Sequence, residues 1–192
     1  MIHIVDFGST KTQAISNVVL KLGYENKIVK WNDCSENDFQ KSAGIILSGA
    51  PFLFTENDPT RYVEKFYFLK NTSVPILGIC FGHQLMGVLF GARVFKGKEV
   101  RKKSKIKMLK RDPLFRGLTK IFIMKEDHTE GIDLPDTFEL LACSDDYAVE
   151  VMKHSTKSTY GVQFHPEVSG INGKTVLRNF LALNPKKNDF DQ

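Results

Sequence analysis

The run Pro75-Ile76-Leu77-Gly78-Ile79-Cys80-Phe81-Gly82-His83-Gln84 constrains this chain most. Ile76 to Ile79 is a short apolar run of strand type. After Cys80 and Gly82, the residues Leu85, Met86, Val88 and Leu89 recur at helical spacing. A strand, a sharp turn carrying a reactive side chain, and a helix make a nucleophile elbow, here with Cys80 in the place of the serine and Gly78 and Gly82 as the small flanking residues. Such a turn lifts its side chain out of a sheet into a cleft. The helix N-terminus that follows favours a thiolate and offers backbone N–H groups to a developing oxyanion. Taken alone, the pattern fits a buried core cysteine at a strand end equally well.

The rest of the chain narrows the choice. Its 192 residues suit one domain with a sizeable core. Alternation is clear in the first half. Strand candidates at Ile2 to Asp6, Lys27 to Trp31, Gly44 to Ser48 and Ile76 to Ile79 are separated by helical patterns. The first helix carries Ala14, Ile15, Val18, Val19 and Leu22, with Ser9 or Thr10 as N-cap and Gly23 as its stop; the second carries Tyr62, Val63, Phe66, Tyr67 and Leu69. This predicts an α/β fold, a mostly parallel or mixed sheet flanked by helices. Asp6, Ser48-Gly49-Ala50 and Cys80 then fall at strand carboxyl ends, where such sheets gather functional groups. From Arg93 the pattern turns β-rich, with short candidates at Arg93–Phe95, Lys105–Leu109, Ile121–Met124, Phe138–Cys143, Ala148–Met152 and Thr159–Phe164. A last helix is expected at Thr175 to Leu183. Residues 1–183 then form one domain, and 184–192 a polar C-terminal tail.

Gly161-Val162-Gln163-Phe164-His165-Pro166-Glu167 completes a candidate constellation. His165 lies just past an apolar strand, where a parallel-type sheet would set it beside the Cys80 elbow. A histidine general base raises the thiolate fraction of a cysteine and later protonates the leaving group. Glu167 follows two residues on, with Pro166 stiffening the backbone between them; a carboxylate there can hold the imidazole in one tautomer. Singly, His165 reads as a half-buried strand-end histidine and Glu167 as a turn charge.

Together, Gly78 to Gln84 and Phe164-His165-Pro166-Glu167 resemble the class I glutamine amidotransferases, and the resemblance runs from Asp6 to Phe180. It implies a flavodoxin-like α/β fold, Cys80 as nucleophile, and His165 and Glu167 completing the triad. It also implies an oxyanion hole from the backbone N–H groups of Ala50 and Phe81, with Gly49 and Gln84 holding the substrate glutamine. No metal or organic cofactor is implied for glutamine hydrolysis. Ile4 to Ser9 with Thr12-Gln13, Ile45 to Gly49, Tyr160 to Val168 and Leu177 to Phe180 look like the glutaminase part of GMP synthases. No ATP-pyrophosphatase domain or Ser-Gly-Gly phosphate loop is present up to Gln192. The resemblance therefore implies a cytoplasmic glutaminase subunit that feeds ammonia to a separate synthetase subunit, which would carry ATP and Mg2+ and aminate XMP. The alternatives are a subunit of another synthase, a free-standing γ-glutamyl hydrolase, and a catalytically quiet interaction subunit. Two departures stand out. Ala50 replaces the second glycine of a Gly-Gly-Pro turn, and Asp127-His128-Thr129-Glu130 replaces Ser-His-Gly-Asp in a loop that faces the partner domain in the family.

Other signals are weaker. Lys96 to Arg111 holds nine Lys or Arg, read here as a solvated β-hairpin; without interleaved aromatics for stacking it makes no nucleic-acid platform. The net charge of +5 permits an acidic partner without demanding one. No apolar run approaches a membrane span, and three cysteines without a C-x-x-C pair read as reduced thiols. Gly173-Lys174-Thr175 fails the phosphate-loop pattern, because Val168 stands where its first glycine is required. His83, His128 and His165 lack the spacing of a helical ligand pair, so no metal is expected.

Overall fold

A computed structural model describes residues 1–183, and the expected tail at 184–192 lies outside the described residues. The alternating half folds as β1 (Ile2–Asp6), α1 (Thr12–Lys21), β2 (Asn26–Lys30), α2 (Glu36–Phe39), β3 (Gly44–Leu47), α3 (Thr60–Phe66), β4 (Ile76–Ile79) and α4 (Phe81–Leu89). The second half adds β5 (Val94–Val100), β6 (Lys103–Met108), β7 (Ile121–Lys125), β8 (His128–Ile132), β9 (Phe138–Cys143), β10 (Val151–His154), β11 (Thr159–Val162) and α5 (Gly170–Leu181). Nine strands form one mixed sheet in the order β2-β1-β3-β4-β11-β10-β9-β6-β7; β5 and β8 pair apart from it. From β2 to β11 neighbours run parallel, and from β11 to β7 antiparallel.

The parallel strands are apolar on both faces because both are covered. Ile4, Ile46, Leu77 and Ile79 point into one core with Ile15 and Val19 of α1 and Val176, Leu177 and Phe180 of α5. Their neighbours Val5, Ile45, Leu47 and Ile76 point the other way, against Phe66 of α3 and Leu85 and Met86 of α4. The period-2 alternation thus builds two hydrophobic layers, one on each side of the strands that carry the site.

Several boundaries differ from the sequence expectation. α1 starts at Thr12, after a turn in which Ser9 Oγ accepts from the Lys11 N–H at 3.1 Å, so neither Ser9 nor Thr10 is the N-cap. Gly23 does end the helix, with φ +85°, its N–H donating to Leu20 O. α5 starts at Gly170, five residues before the expected Thr175, and Gly-Lys-Thr lies within it. A Cβ on Gly173 would collide with the Pro166 carbonyl, so that glycine serves close packing on the turn that carries Glu167. The basic run is not a hairpin: β5 pairs with β8, whereas β6 pairs with β7 and β9. Asp127 to Glu130 is no loop either, since His128 begins β8. Pairing partners are set by tertiary packing, which local alternation does not encode. Much of the basic run is neutralised by exposed pairs, Lys96 with Glu56, Lys98 and Lys102 with Asp146, Lys107 with Asp145 and Lys110 with Glu139. Among the described residues no helix is long and apolar enough to cross a membrane.

Candidate functional site

The turn after β4 is the most strained backbone in the molecule. Cys80 has φ 51° and ψ −104°, and among the described residues it is the one non-glycine with positive φ. Such a conformation costs about 1–3 kcal/mol and persists only where its surroundings enforce it. Here they do. The Cys80 N–H donates to Val162 O at 2.9 Å, and its carbonyl accepts from the Gln84 N–H at 3.0 Å. The two flanking glycines are required by space: a Cβ on Gly78 would collide with the Gly82 carbonyl, and one on Gly82 would lie 2.5 Å from Leu47 O. α4 therefore starts directly beneath the thiol, with the Phe81 N–H in its first turn and free of any intrahelical acceptor.

The parallel pairing of β11 with β4 brings the second motif alongside. Val162 is in register with Ile79, so the chain beyond Val162 emerges next to Cys80. His165 is buried, its N–H donating to Lys125 O and its carbonyl accepting from Ser169 Oγ at 2.6 Å. Its Nδ1 lies 2.7 Å from Glu167 Oε1, a carboxylate with a buried side chain in the 3-10 turn Pro166–Val168. Burial opposes a charge on this ring, but the Cys80 and Glu167 side chains outweigh it and push His165 up to about 10. The imidazole thus holds its proton throughout the neutral range. Gly49 makes the approach possible, because a Cβ there would lie 3.3 Å from His165 Cε1 and 3.8 Å from Cys80 Cβ. Ala50 adopts negative φ, so the expected strain of alanine in this turn does not arise.

These groups open into a cavity of about 480 Å³. Cys80, His165, Gly49, Ala50, Phe81 and Gln84 all line it; Glu167 stands behind His165. Sequence reasoning missed the charged rim. Lys11 and Arg101 meet Asp127 here, at 2.6 Å and 3.6 Å. Burial disfavours the Asp127 charge, yet Lys11 foremost among the neighbouring cations holds the carboxyl below its usual range. A pocket wall bearing both signs suits a zwitterionic amino acid. Nothing in the sequence marks Lys11, and Arg101 is hidden within the basic run. Glu130 also lines the cavity, but its carboxylate accepts from the Phe54 N–H, the Thr55 N–H and Thr55 Oγ1, clasping the loop after Ala50. Gln84 donates to Glu130 O and Gln163 Oε1 at 3.2 Å and 3.3 Å. His83 points the other way, fully buried, and burial followed by the His128 charge pushes it down to about 3. Among the described residues, His83, His128 and His165 form no common donor set.

Comparison with known proteins agrees with this geometry. Residues 3–183 match the family model of glutamine amidotransferase class-I. The chain is 36% identical over 188 residues to a glutamine-hydrolyzing GMP synthase subunit of Pyrococcus abyssi, covering 95% of this chain and 98% of that protein. The corresponding subunit of Pyrococcus furiosus is 38% identical over 187 residues, with 95% and 98% covered. A crystal structure of a Thermoplasma acidophilum protein assigned as the same GMP synthase subunit superposes with a TM-score of 0.88 at 32% identity, covering 97% of this chain and 94% of that one. A glutamine amidotransferase from Thermotoga maritima, 18% identical with a TM-score of 0.76 over 98% of this chain and 85% of its own, shares the fold. With its family model spanning nearly every described residue, the chain belongs to the class-I glutamine amidotransferases.

Proposed function

We propose that this chain is the glutaminase subunit of a two-subunit GMP synthase, and that Cys80, His165 and Glu167 carry the chemistry. The observation that carries the reading is the strained Cys80 at the head of α4, with a buried His165–Glu167 pair at 2.7 Å beside it. The Cys80 thiolate attacks the side-chain carboxamide carbon of glutamine. The tetrahedral oxyanion accepts from the N–H groups of Ala50 and Phe81, each donor contributing about 3 kcal/mol of transition-state stabilisation. His165 gives its proton to the amide nitrogen, the C–N bond breaks, and ammonia leaves a γ-glutamyl thioester on Cys80. His165 then takes a proton from water. The resulting hydroxide attacks the thioester, and glutamate departs as the thiolate re-forms. Glu167 stabilises the imidazolium in both steps. Gly49 leaves room for the tetrahedral centre between Cys80 and His165, and Gln84 braces the pocket wall. Lys11 and Asp127 face the α-carboxylate and α-ammonium of the substrate.

Glutamine hydrolysis on this chain uses no cofactor. ATP and Mg2+ belong to a separate synthetase subunit, which aminates adenylated XMP with the ammonia delivered. The sizes of the relatives support a two-subunit arrangement, since this chain spans 98% of the Pyrococcus abyssi subunit but 35% of the single-chain GMP synthase of Thermosipho melanesiensis. We place the complex in the cytoplasm and assign the chain neither a nucleic-acid nor a membrane partner. The test is glutamate release from glutamine, by the chain alone and with a GMP-synthetase subunit, ATP and XMP. The expected result is stimulation by the partner and its abolition in Cys80→Ala. Full activity of Cys80→Ala would refute the mechanism, and full activity without any partner would favour a free-standing hydrolase.

A further inference from the structure

A second cluster of chemical groups lies behind the pocket wall and is not used by the glutamine chemistry. Glu126 is 1% exposed, His128 8%, and Glu150, between β9 and β10, 0%. One donor atom from each lies within 4.8 Å of the other two. His128 Nδ1 is 2.9 Å from the Glu130 carbonyl oxygen, which only accepts, so Nδ1 carries a hydrogen. The other ring nitrogen, Nε2, therefore faces Glu126 Oε2 at 2.9 Å. Neither carboxylate oxygen of Glu150 has a hydrogen-bond partner. Among the described residues no lysine or arginine pairs with Glu126 or Glu150; the one ion pair of the cluster is Glu126 with His128. Two carboxylates and an imidazole nitrogen thus converge in a dry space that lacks a fixed cation. Burying such groups uncompensated is costly, so positive charge must enter as protons or as a metal ion.

We propose that Glu126, His128 and Glu150 bind one divalent transition-metal ion of the Zn2+ type. The donor set decides the class: an imidazole nitrogen with carboxylate oxygens suits Zn2+ and its first-row neighbours, whereas Mg2+ and Ca2+ take all-oxygen shells. Two carboxylates balance the charge of a divalent ion, and the Glu130 carbonyl presets the His128 tautomer as the outer partner of a metal-bound histidine does. Burial first, and then the Glu126 carboxylate, push Glu150 up to about 8, so a metal entering at neutral pH displaces a proton. The ion would tie the start of β8 to the segment before β10. Both border the reaction site: the Asp127 carbonyl lies 3.9 Å from Cys80 Sγ, and the Glu150 carbonyl accepts from the Gln163 N–H at 2.8 Å. The metal is therefore a brace for the pocket wall and touches no substrate.

The test uses the Cys80→Ala chain, so that the thiol cannot act as a soft ligand together with His165. After stripping with a chelator and dialysis against micromolar Zn2+, elemental analysis is expected to find one zinc ion per chain. Co2+ in its place should give visible d–d absorption, with Mg2+ failing to compete. Glu150→Gln and Glu126→Gln, close in shape to the native residues, should each weaken Zn2+ binding by about 100-fold or more, while Cys34→Ser leaves it unchanged. Circular dichroism checks that each variant is folded. No zinc retained by the folded Cys80→Ala chain would overturn the proposal in favour of carboxylates that share protons. Undiminished binding by folded Glu150→Gln would overturn it too, by placing the metal elsewhere.

Discussion

Glu167→Gln isolates the charge of the triad carboxylate from its shape. The amide oxygen can still accept from His165 Nδ1, at the 2.7 Å now made by Glu167 Oε1, so ring orientation survives. The negative charge is lost. Opposite charges with centres about 4 Å apart interact by about 4 kcal/mol at an effective dielectric of about 20. That is equivalent to about three pKa units, and it is a ceiling because the Cys80 side chain also holds the imidazolium. The sign is fixed by the direction of the shift. Net of burial, Cys80 and Glu167 raise His165 from 6.5 to about 10, so the imidazolium form persists until the pH passes that value. Removing the carboxylate lowers this limit, and the alkaline limb of kcat/KM for glutamate release moves down by about two to three pH units. At pH 7 kcat is expected to fall by about 100- to 1,000-fold if most of this interaction is felt in the transition state. Stability follows the same linkage. The wild-type contribution of His165 is complete below pH 6.5 and is lost as the pH rises towards about 10, and in the variant that loss begins earlier. The assay is a glutaminase pH profile with the synthetase subunit present, paired with urea unfolding at two pH values. A variant with unchanged kcat and an unmoved alkaline limb would show that Glu167 does not support the imidazolium.

Two further substitutions probe the supports of the site. Gly82→Ala places a Cβ 2.5 Å from Leu47 O and must push α4 away from β3; a loss of about 1–3 kcal/mol by denaturant unfolding is expected, with a larger fall in kcat than in stability. A wild-type unfolding midpoint would show that the elbow is looser than this contact requires. Asn179→Ala removes the Nδ2 that donates to Leu114 O at 2.9 Å and Arg116 O at 2.8 Å, leaving carbonyls short of a donor; about 1–3 kcal/mol of stability should go while KM for glutamine stays put. A changed KM there would contradict a purely structural role for this contact.

How much of this could be read from residue order depends on the range of the interaction. The elbow was legible because its causes are local. Gly78 and Gly82 sit two residues either side of Cys80, and the turn they permit needs no distant partner to be recognised. The same holds for Gly23, where one backbone conformation ends α1. The His165–Glu167 pair was legible because two residues of chain, stiffened by Pro166, hold the groups at bonding distance. Pairing was not legible. The alternation in Lys96 to Arg111 marks strands correctly, but only the folded sheet sends β5 to β8 and β6 to β7 and β9. The α5 boundary was missed because Gly170 and Gly173 read as breakers, until the Pro166 carbonyl shows why no side chain fits there. Lys11, Arg101 and Asp127 met for the same reason. They are far apart in the chain, and long-range closure set by the core brings them to one rim. Sequence alone determined the reactive turn and its carboxylate-backed histidine, since those rest on sterics within a few residues. The tertiary structure decided the pocket that the turn serves, and it also buried Glu126, His128 and Glu150 together, since that depended on which strands lie side by side.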